Sequence, residues 1–341
     1  MRLIGLDIAR FLAFVGMVLV NFRIASEATE TGWSTPITNA LEGRAAALFV
    51  VLAGVGFGLA YQRGRLPWHL TLKRAAFLFG LGMINMLIFD ADILHFYGLY
   101  FIVAACFAPL SDRALIWGGV TITLLAGLAI LIGPFERAWD FDTYHYADFW
   151  TLNGFLRHSF YNGWHPVFPW VSFMLFGMWI ARLDLTKASV QNQLLFGGMG
   201  VTLLTLLISR GMIALDPEFE EILSLSPVPA LPLYMLAGCG SAAFMIGGLL
   251  RLSPWLERRT LAKISAKAGQ QTLTLYVAHI LIGLGTLEAL GLLSGQLNQT
   301  EIFAISLLFC AGSALYAWGY SKVFKRGPLE AAMRFMTEGK L

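Results

Sequence analysis

Charged residues are few in this chain. They make up 13% of 341 positions, against 57% hydrophobic residues and a mean hydropathy of +0.67. So little charge cannot clothe a soluble domain of this size. Cysteine is scarcer still. Cys106, Cys239 and Cys310 are odd in number and far apart, which excludes a disulfide framework and a zinc motif. Each lies in an apolar run and is expected to be a small buried packing residue. There is no metal-ligand spacing, no Gly-rich phosphate loop after a strand and no nucleophile elbow. No tandem repeat, low-complexity tail or separate soluble domain is visible. Nothing points to a metal or to nucleic acid. What remains is a single all-α integral-membrane domain over residues 1–341.

The long apolar runs give about ten transmembrane helices. They fall approximately at 4–22, 43–62, 73–90, 94–110, 114–133, 166–182, 193–209, 228–250, 271–291 and 302–321. Met1 and Arg2 lead directly into the first run, which lacks a small-residue cleavage site and is expected to be retained. Lys and Arg crowd one set of loops. That set holds Arg2, Arg63, Arg65, Lys73, Arg74, Arg113, Arg182, Lys187, Arg251, Arg258, Arg259, Lys263, Lys267, Lys322, Lys325, Arg326, Arg334 and Lys340. The other set holds only Arg23, Arg44, Arg137, Arg157 and Arg210. The asymmetry places the basic loops and both termini in the cytoplasm. Residues 322–341, "KVFKRGPLEAAMRFMTEGKL", are expected to form a basic amphipathic helix on the inner leaflet.

Against this background the polar residues within the spans stand out. "LDIARFLAFVGMVLVNF" carries Asp7, Arg10 and Asn21. A helix turns ~100° per residue, so Arg10 and Asn21 come within ~20° of one another, and Asp7 lies ~60° from Arg10. The stripe covers roughly 21 Å of axis. It should face protein or a wet cavity, because an intramembrane charge costs at least ~2.5 kcal/mol. Asp7 and Arg10 could equally be a plain staple at the interface; Asn21 in register favours a polar passage.

Other polar groups need a reason too. "LEGRAAALFVVLAGVGFG" begins the second span with Glu42 and Arg44, and its glycines suit close helix packing. "DADILHFYG" sets Asp90, Asp92 and His95 at an outer turn. Asp92 and His95 are spaced to form a carboxylate–imidazole pair, which fixes the tautomer a general base requires. A hydrogen-bonded cap at a tight turn is the plainer alternative. "TLTLYVAHILIG" places His279 in mid-span with Tyr276 one turn before. An interhelical hydrogen bond would explain His279, yet ionisable residues at that depth are functional candidates. His69, in an inner loop, is expected to be merely solvated. The outer loop 134–165 mixes Glu136, Asp140, Asp142 and Asp148 with Trp139, Tyr144, His145, Tyr146, Trp150, Tyr161, Trp164 and His165. Aromatic faces beside carboxylates suit a sugar; an interfacial aromatic belt is the competing account.

The first helix resembles that of the transmembrane acyl-transfer superfamily, which includes heparan-α-glucosaminide N-acetyltransferase and the acyltransferase-3 proteins. The shared pattern is Asp-x-x-Arg followed by a polar residue 11 positions after the Arg, here Asn21. "LYVAHILIG" is similar to the superfamily's late Tyr-x-x-His, and Glu42 sits near an acidic position of its second helix. "DADILHFYG" and "RGPLEAAMR" look more like a bacterial inner-membrane branch known as domain of unknown function 418. The heparan enzyme has a histidine in the outer loop after the first helix; residues 23–42 here contain none.

The resemblance implies a multi-pass acyltransferase of the bacterial inner membrane with acyl-CoA, acetyl-CoA first, as co-substrate. Arg65, Lys73, Arg74, Arg258 and Arg259 would meet the CoA phosphates. Asp7, Arg10 and Tyr276 would line the path of the pantetheine arm. His95, oriented by Asp92, is expected to be the base, with Asn21 a donor to the oxyanion and His279 along the thioester channel. Glu42, Arg44, Asp90, Trp164 and His165 are the candidates for holding the acceptor, an extracytoplasmic sugar or glycolipid. The expected partners are the lipid bilayer, acyl-CoA and that acceptor, with a homodimer left open. The rival function is a transporter or flippase using the same polar passage.

Overall fold

The computed structural model describes residues 3–29, 32–141, 143–293 and 295–339. Arg2, Asp142 and Lys340, counted above in the loops, lie outside them. Most of the described chain is helical, with almost no sheet. In order come α1 (Ile4–Ala25), α2 (Thr35–Leu41), α3 (Arg44–Gln62), α4 (Trp68–Asn85), α5 (Leu94–Phe107) and α6 (Asp112–Ile132). A short hairpin of two-residue strands, β1 (Trp139–Asp140) and β2 (His145–Tyr146), follows. Then come α7 (Leu152–Arg157), α8 (Val167–Ile180), α9 (Ala188–Asn192), α10 (Gly198–Leu215), α11 (Glu220–Leu223) and α12 (Pro232–Leu256). The last are α13 (Thr260–Gly269), α14 (Thr272–Ala278), α15 (Gly285–Ala289), α16 (Gln299–Tyr320) and α17 (Pro328–Glu338). Wider π turns occupy His158–Asn162, Gln193–Gly197 and His279–Leu284.

Seven helical stretches among the described residues are long and apolar enough to cross a membrane: Ile4–Ala25, Thr35–Gln62, Asp112–Ile132, Ala188–Leu215, Pro232–Leu256, Thr272–Ala289 and Gln299–Tyr320. Leu94–Phe107 and Val167–Ile180 are apolar but shorter. The expected span 73–90 is displaced by more than a turn. Its helix starts at Trp68, takes in Lys73 and Arg74, and stops at Asn85, because the following residues are spent on the turn to Asp92. The expected 193–209 run begins earlier and continues to Leu215, so Arg210 belongs to a helix and not to a loop. Leu124, Leu125, Leu128 and Leu131 on α6, and Leu203, Leu204 and Leu207 on α10, are exposed leucines on such helices. Rows like these suit lipid contact and not water. Cys106 is exposed and Cys310 buried, so only part of the expected cysteine burial holds.

The chain divides into two compact units. One comprises 1–49, 186–195 and 245–341; the other comprises 50–185 and 196–244. In the first, α1 packs on α13, α14 and α16 around Phe14, Val18, Phe22 and Tyr276, all nearly inaccessible. In the second, Phe96, Tyr100, Trp170, Phe173 and Tyr234 fill the core. Here α3 and α8 meet backbone to backbone. A Cβ on Gly54 would strike the Met174 carbonyl, and one on Gly177 the Val51 carbonyl. The Gly-rich run of the second span therefore serves close approach, as its small residues suggest.

Candidate functional site

The first unit collects polar groups along α1. Asp7 is buried, and its carboxylate accepts from Arg10 Nη1 at 2.8 Å and from Gln270 Nε2 at 3.2 Å. The Asp7–Arg10 staple thus exists, and Gln270, at the end of α13, is a partner that sequence reading missed. Fourteen residues on from Asp7, Asn21 Nδ2 lies 3.0 Å from His279 Nε2. His279 is fully buried, with Phe14 edge-on at 6.2 Å and Phe22 stacked at 6.5 Å. Its Nδ1 bonds the Tyr276 carbonyl, one turn back. A carbonyl only accepts, so Nδ1 carries the hydrogen and Nε2 offers a lone pair to the Asn21 amide. Tyr276 meets His279 through that carbonyl and a ring contact at 4.9 Å. The π turn begins at His279 itself, and such widened turns are frequent at functional positions.

The second unit holds a buried carboxylate–imidazole pair. Asp92 Oδ2 accepts from the His95 backbone N–H at 3.1 Å and lies 3.2 Å from His95 Nδ1. Asp92 Oδ1 accepts from Asn85 Nδ2 at 3.1 Å. Asp92 and His95 are both wholly inaccessible. The turn is built for this. A Cβ on Gly82 of α4 would overlap the His95 backbone and the Asp92 carboxylate. The pair is therefore both the cap expected at a tight turn and an oriented imidazole. With Nδ1–H turned to the carboxylate, Nε2 holds the lone pair, and it has no hydrogen-bond partner among the described residues.

Residues of the 134–165 segment pack closely around His95. His158 stacks on it at 5.9 Å, and Phe96 and Phe149 lie at 3.9 and 6.0 Å. His158 is buried and was not foreseen. Burial, then the neighbouring His95, His165 and Arg157, push its pKa well below the ordinary histidine value. Burial and His95 push His165 down to about 3, so both rings are neutral at ordinary pH. The loop is held by Tyr146, whose hydroxyl donates to Asn162 Oδ1 at 2.8 Å and accepts from Arg157 Nε at 2.8 Å. Arg157 also pairs with Asp148 at 2.5 Å. Trp164 packs on Trp139 at 5.3 Å and Tyr144 at 5.5 Å. Asp148 of this loop is thus a structural partner as much as a candidate sugar ligand.

Other expected site residues are placed more plainly. Glu42 is taken by Arg23 at 2.5 Å, which ties the end of α1 to the break between α2 and α3. Arg44 donates to the Ala40 carbonyl. Asp90 makes an exposed contact with His145 at 3.4 Å. Arg65 and Lys73 are exposed and Arg74 half-buried in the second unit; Arg258 and Arg259 are exposed in the first, with Arg259 over the Trp255 ring. No group of three or more His, Cys, Asp or Glu that could hold a metal occurs among the described residues.

A family model described as heparan-alpha-glucosaminide N-acetyltransferase, catalytic, matches residues 2–212. A second, described as a protein of unknown function (DUF418), matches residues 178–340. The first match holds Asp7, Arg10, Asn21, Asp92, His95 and His158; the second holds Tyr276 and His279. No curated protein matches the chain.

Proposed function

Because the chain belongs to the heparan-alpha-glucosaminide N-acetyltransferase catalytic family, we propose that it is a membrane acyltransferase that moves an acyl group, acetyl first, from cytoplasmic acyl-CoA to a hydroxyl or amine of an extracytoplasmic glycan. The observation that carries the chemistry is the His95 imidazole. Asp92 orients it, and its buried Nε2 is unbonded. Leaving such an atom unsatisfied costs about 1–3 kcal/mol, and an acceptor O–H or N–H would satisfy it. His95 Nε2 then takes the acceptor's proton as the acceptor attacks the thioester carbonyl. The tetrahedral intermediate collapses, the C–S bond breaks, and the CoA thiolate leaves and recovers the proton. Asp7 and Arg10 line the path of the pantetheine arm, with Asn21 and His279 for the thioester. Arg65, Lys73, Arg74, Arg258 and Arg259 supply positive charge for the CoA phosphates.

His279 is a second candidate for the base within the same reaction, since this imidazole also has a fixed tautomer, but its Nε2 would first have to release the Asn21 amide. The test of the function is thiol release from acetyl-CoA by purified protein in nanodiscs. Release that depends on an added glycan acceptor is expected. Movement of the acceptor across the bilayer with no thiol released would replace the enzyme with a transporter.

A further inference from the structure

The motif "GPLE" of the C-terminal tail has no part in the chemistry above, yet it lies against the start of α14. Glu330 Oε1 accepts from the backbone N–H of Leu273 at 2.8 Å and of Thr274 at 3.2 Å. Its Oε2 accepts from Thr274 Oγ1 at 2.6 Å. Thr274 Oγ1 in turn accepts from the Leu329 N–H at 3.0 Å. Pro328 opens α17, where a missing N–H is harmless. A Cβ on Gly327 would overlap the Glu330 carboxylate and lie 2.8 Å from Thr274 Oγ1. The motif is therefore the minimum chemistry for laying α17 against the start of α14.

That start lacks a cap of its own. The first N–H groups of any helix have no partner within it, and a Ser, Thr, Asp or Asn at the N-cap usually supplies one. Here the N-cap is Gln271, whose side chain makes no cap bond; its amide donates instead to the Ala317 carbonyl of α16. The carboxylate of Glu330 fills the role from 56 or 57 residues away, at the helix end where negative charge is favoured. The helix so capped is short. It runs seven residues to Ala278, and the π turn begins at His279. The Tyr276 carbonyl that fixes the His279 tautomer lies two residues after Thr274.

We propose that Glu330 is a positioning residue for His279: the tail helix α17 clasps the first turn of α14 and so holds the Tyr276 carbonyl, the His279 ring and its bond to Asn21 in register. The catalytic consequence rests on the reading that His279 serves acyl-CoA in acyl transfer; the structural one does not. The test uses the full-length protein in nanodiscs with ¹⁵N-labelled histidine, the His279 signals being assigned with His279→Ala. Glu330→Ala, Glu330→Gln and, as control, Met336→Ala on the exposed side of α17 are compared. In Glu330→Ala the Nδ1–H and Nε2 signals of His279 are expected to lose their fixed-tautomer pattern while the protein stays folded. The KM for acyl-CoA should rise and turnover fall, together about 10- to 100-fold, the scale of small misplacements of a reacting group. Glu330→Gln keeps an acceptor oxygen and should recover most of both; Met336→Ala should match wild type. If Glu330→Ala leaves the His279 signals unchanged, the clasp does not position the ring and the proposal fails. If wild type moves no acyl group yet the signals change as expected, the clasp stands and the acyltransferase reading fails.

Discussion

His95 and His279 are both fully buried imidazoles, and they differ in what Nε2 meets. In His279 it accepts from the Asn21 amide; in His95 it has no partner among the described residues. A general base needs a free lone pair and an orienting group on the other nitrogen, which is why His95 is the acceptor-activating base proposed above. His95→Ala is expected to lower acyl transfer by ~10²–10⁴-fold with CoA affinity nearly unchanged. Asp92→Asn should fall between wild type and that variant, since Asn85 and the His95 backbone still hold the turn. His279→Ala should weaken acyl-CoA binding as well as turnover. All three are measured by acyl transfer and CoA affinity in nanodiscs. Full turnover in His95→Ala, with a dead His279→Ala of normal CoA affinity, would reverse the two roles. The Asp92–His95 pair could be read in the sequence because its members are only three positions apart. Asn85 and His158 could not, because their approach depends on a turn and a loop closing over the pair.

At the scale of an element, α1 is the clearest case of a helix whose sequence states its orientation. The angular arithmetic put Asp7, Arg10 and Asn21 on one stripe. The stripe meets protein at both ends, through Gln270 and His279. What the arithmetic could not supply was the partners, 263 and 258 residues away. Gln270 bears on what the loss of Arg10 would do. Breaking a buried pair strands the remaining charge at about 3–5 kcal/mol, but Asp7 keeps a donor when Arg10 is lost. Arg10→Leu is therefore expected to leave folded protein in the membrane and to abolish acyl transfer, as a ligand-contacting role requires. The yield of folded protein is compared with that of Asp7→Leu/Arg10→Leu. Loss of the protein in the single variant and its return in the double would make the pair a staple and nothing more. The tail shows the opposite limit. Its amphipathic pattern was legible, but Glu330 reads as one more solvated acid until α17 is laid on α14.

For the whole molecule, hydropathy located the helices well and their ends poorly, because a helix stops where its hydrogen bonds stop and not where its apolar window does. Lys73 and Arg74 illustrate this, having been assigned to a span's border and lying inside α4. The orientation rests on the distribution of Lys and Arg, a cue from the energetics of insertion. It is checked by cysteine labelling on a background with Cys106, Cys239 and Cys310 replaced. Positions 65, 261 and 145 are exposed and lie outside the stretches able to cross a membrane, so each is accessible to a membrane-impermeant maleimide on one side only. Arg65→Cys and Leu261→Cys are expected to react in inverted vesicles and to stay protected in intact cells. His145→Cys is expected to do the reverse. The two inner positions lie in different units, so agreement between them tests the orientation of each unit separately. Labelling of position 145 from the cytoplasmic side would invert the orientation. It would then move the basic loops away from the CoA pool, and the route proposed for the acyl donor would fail with them.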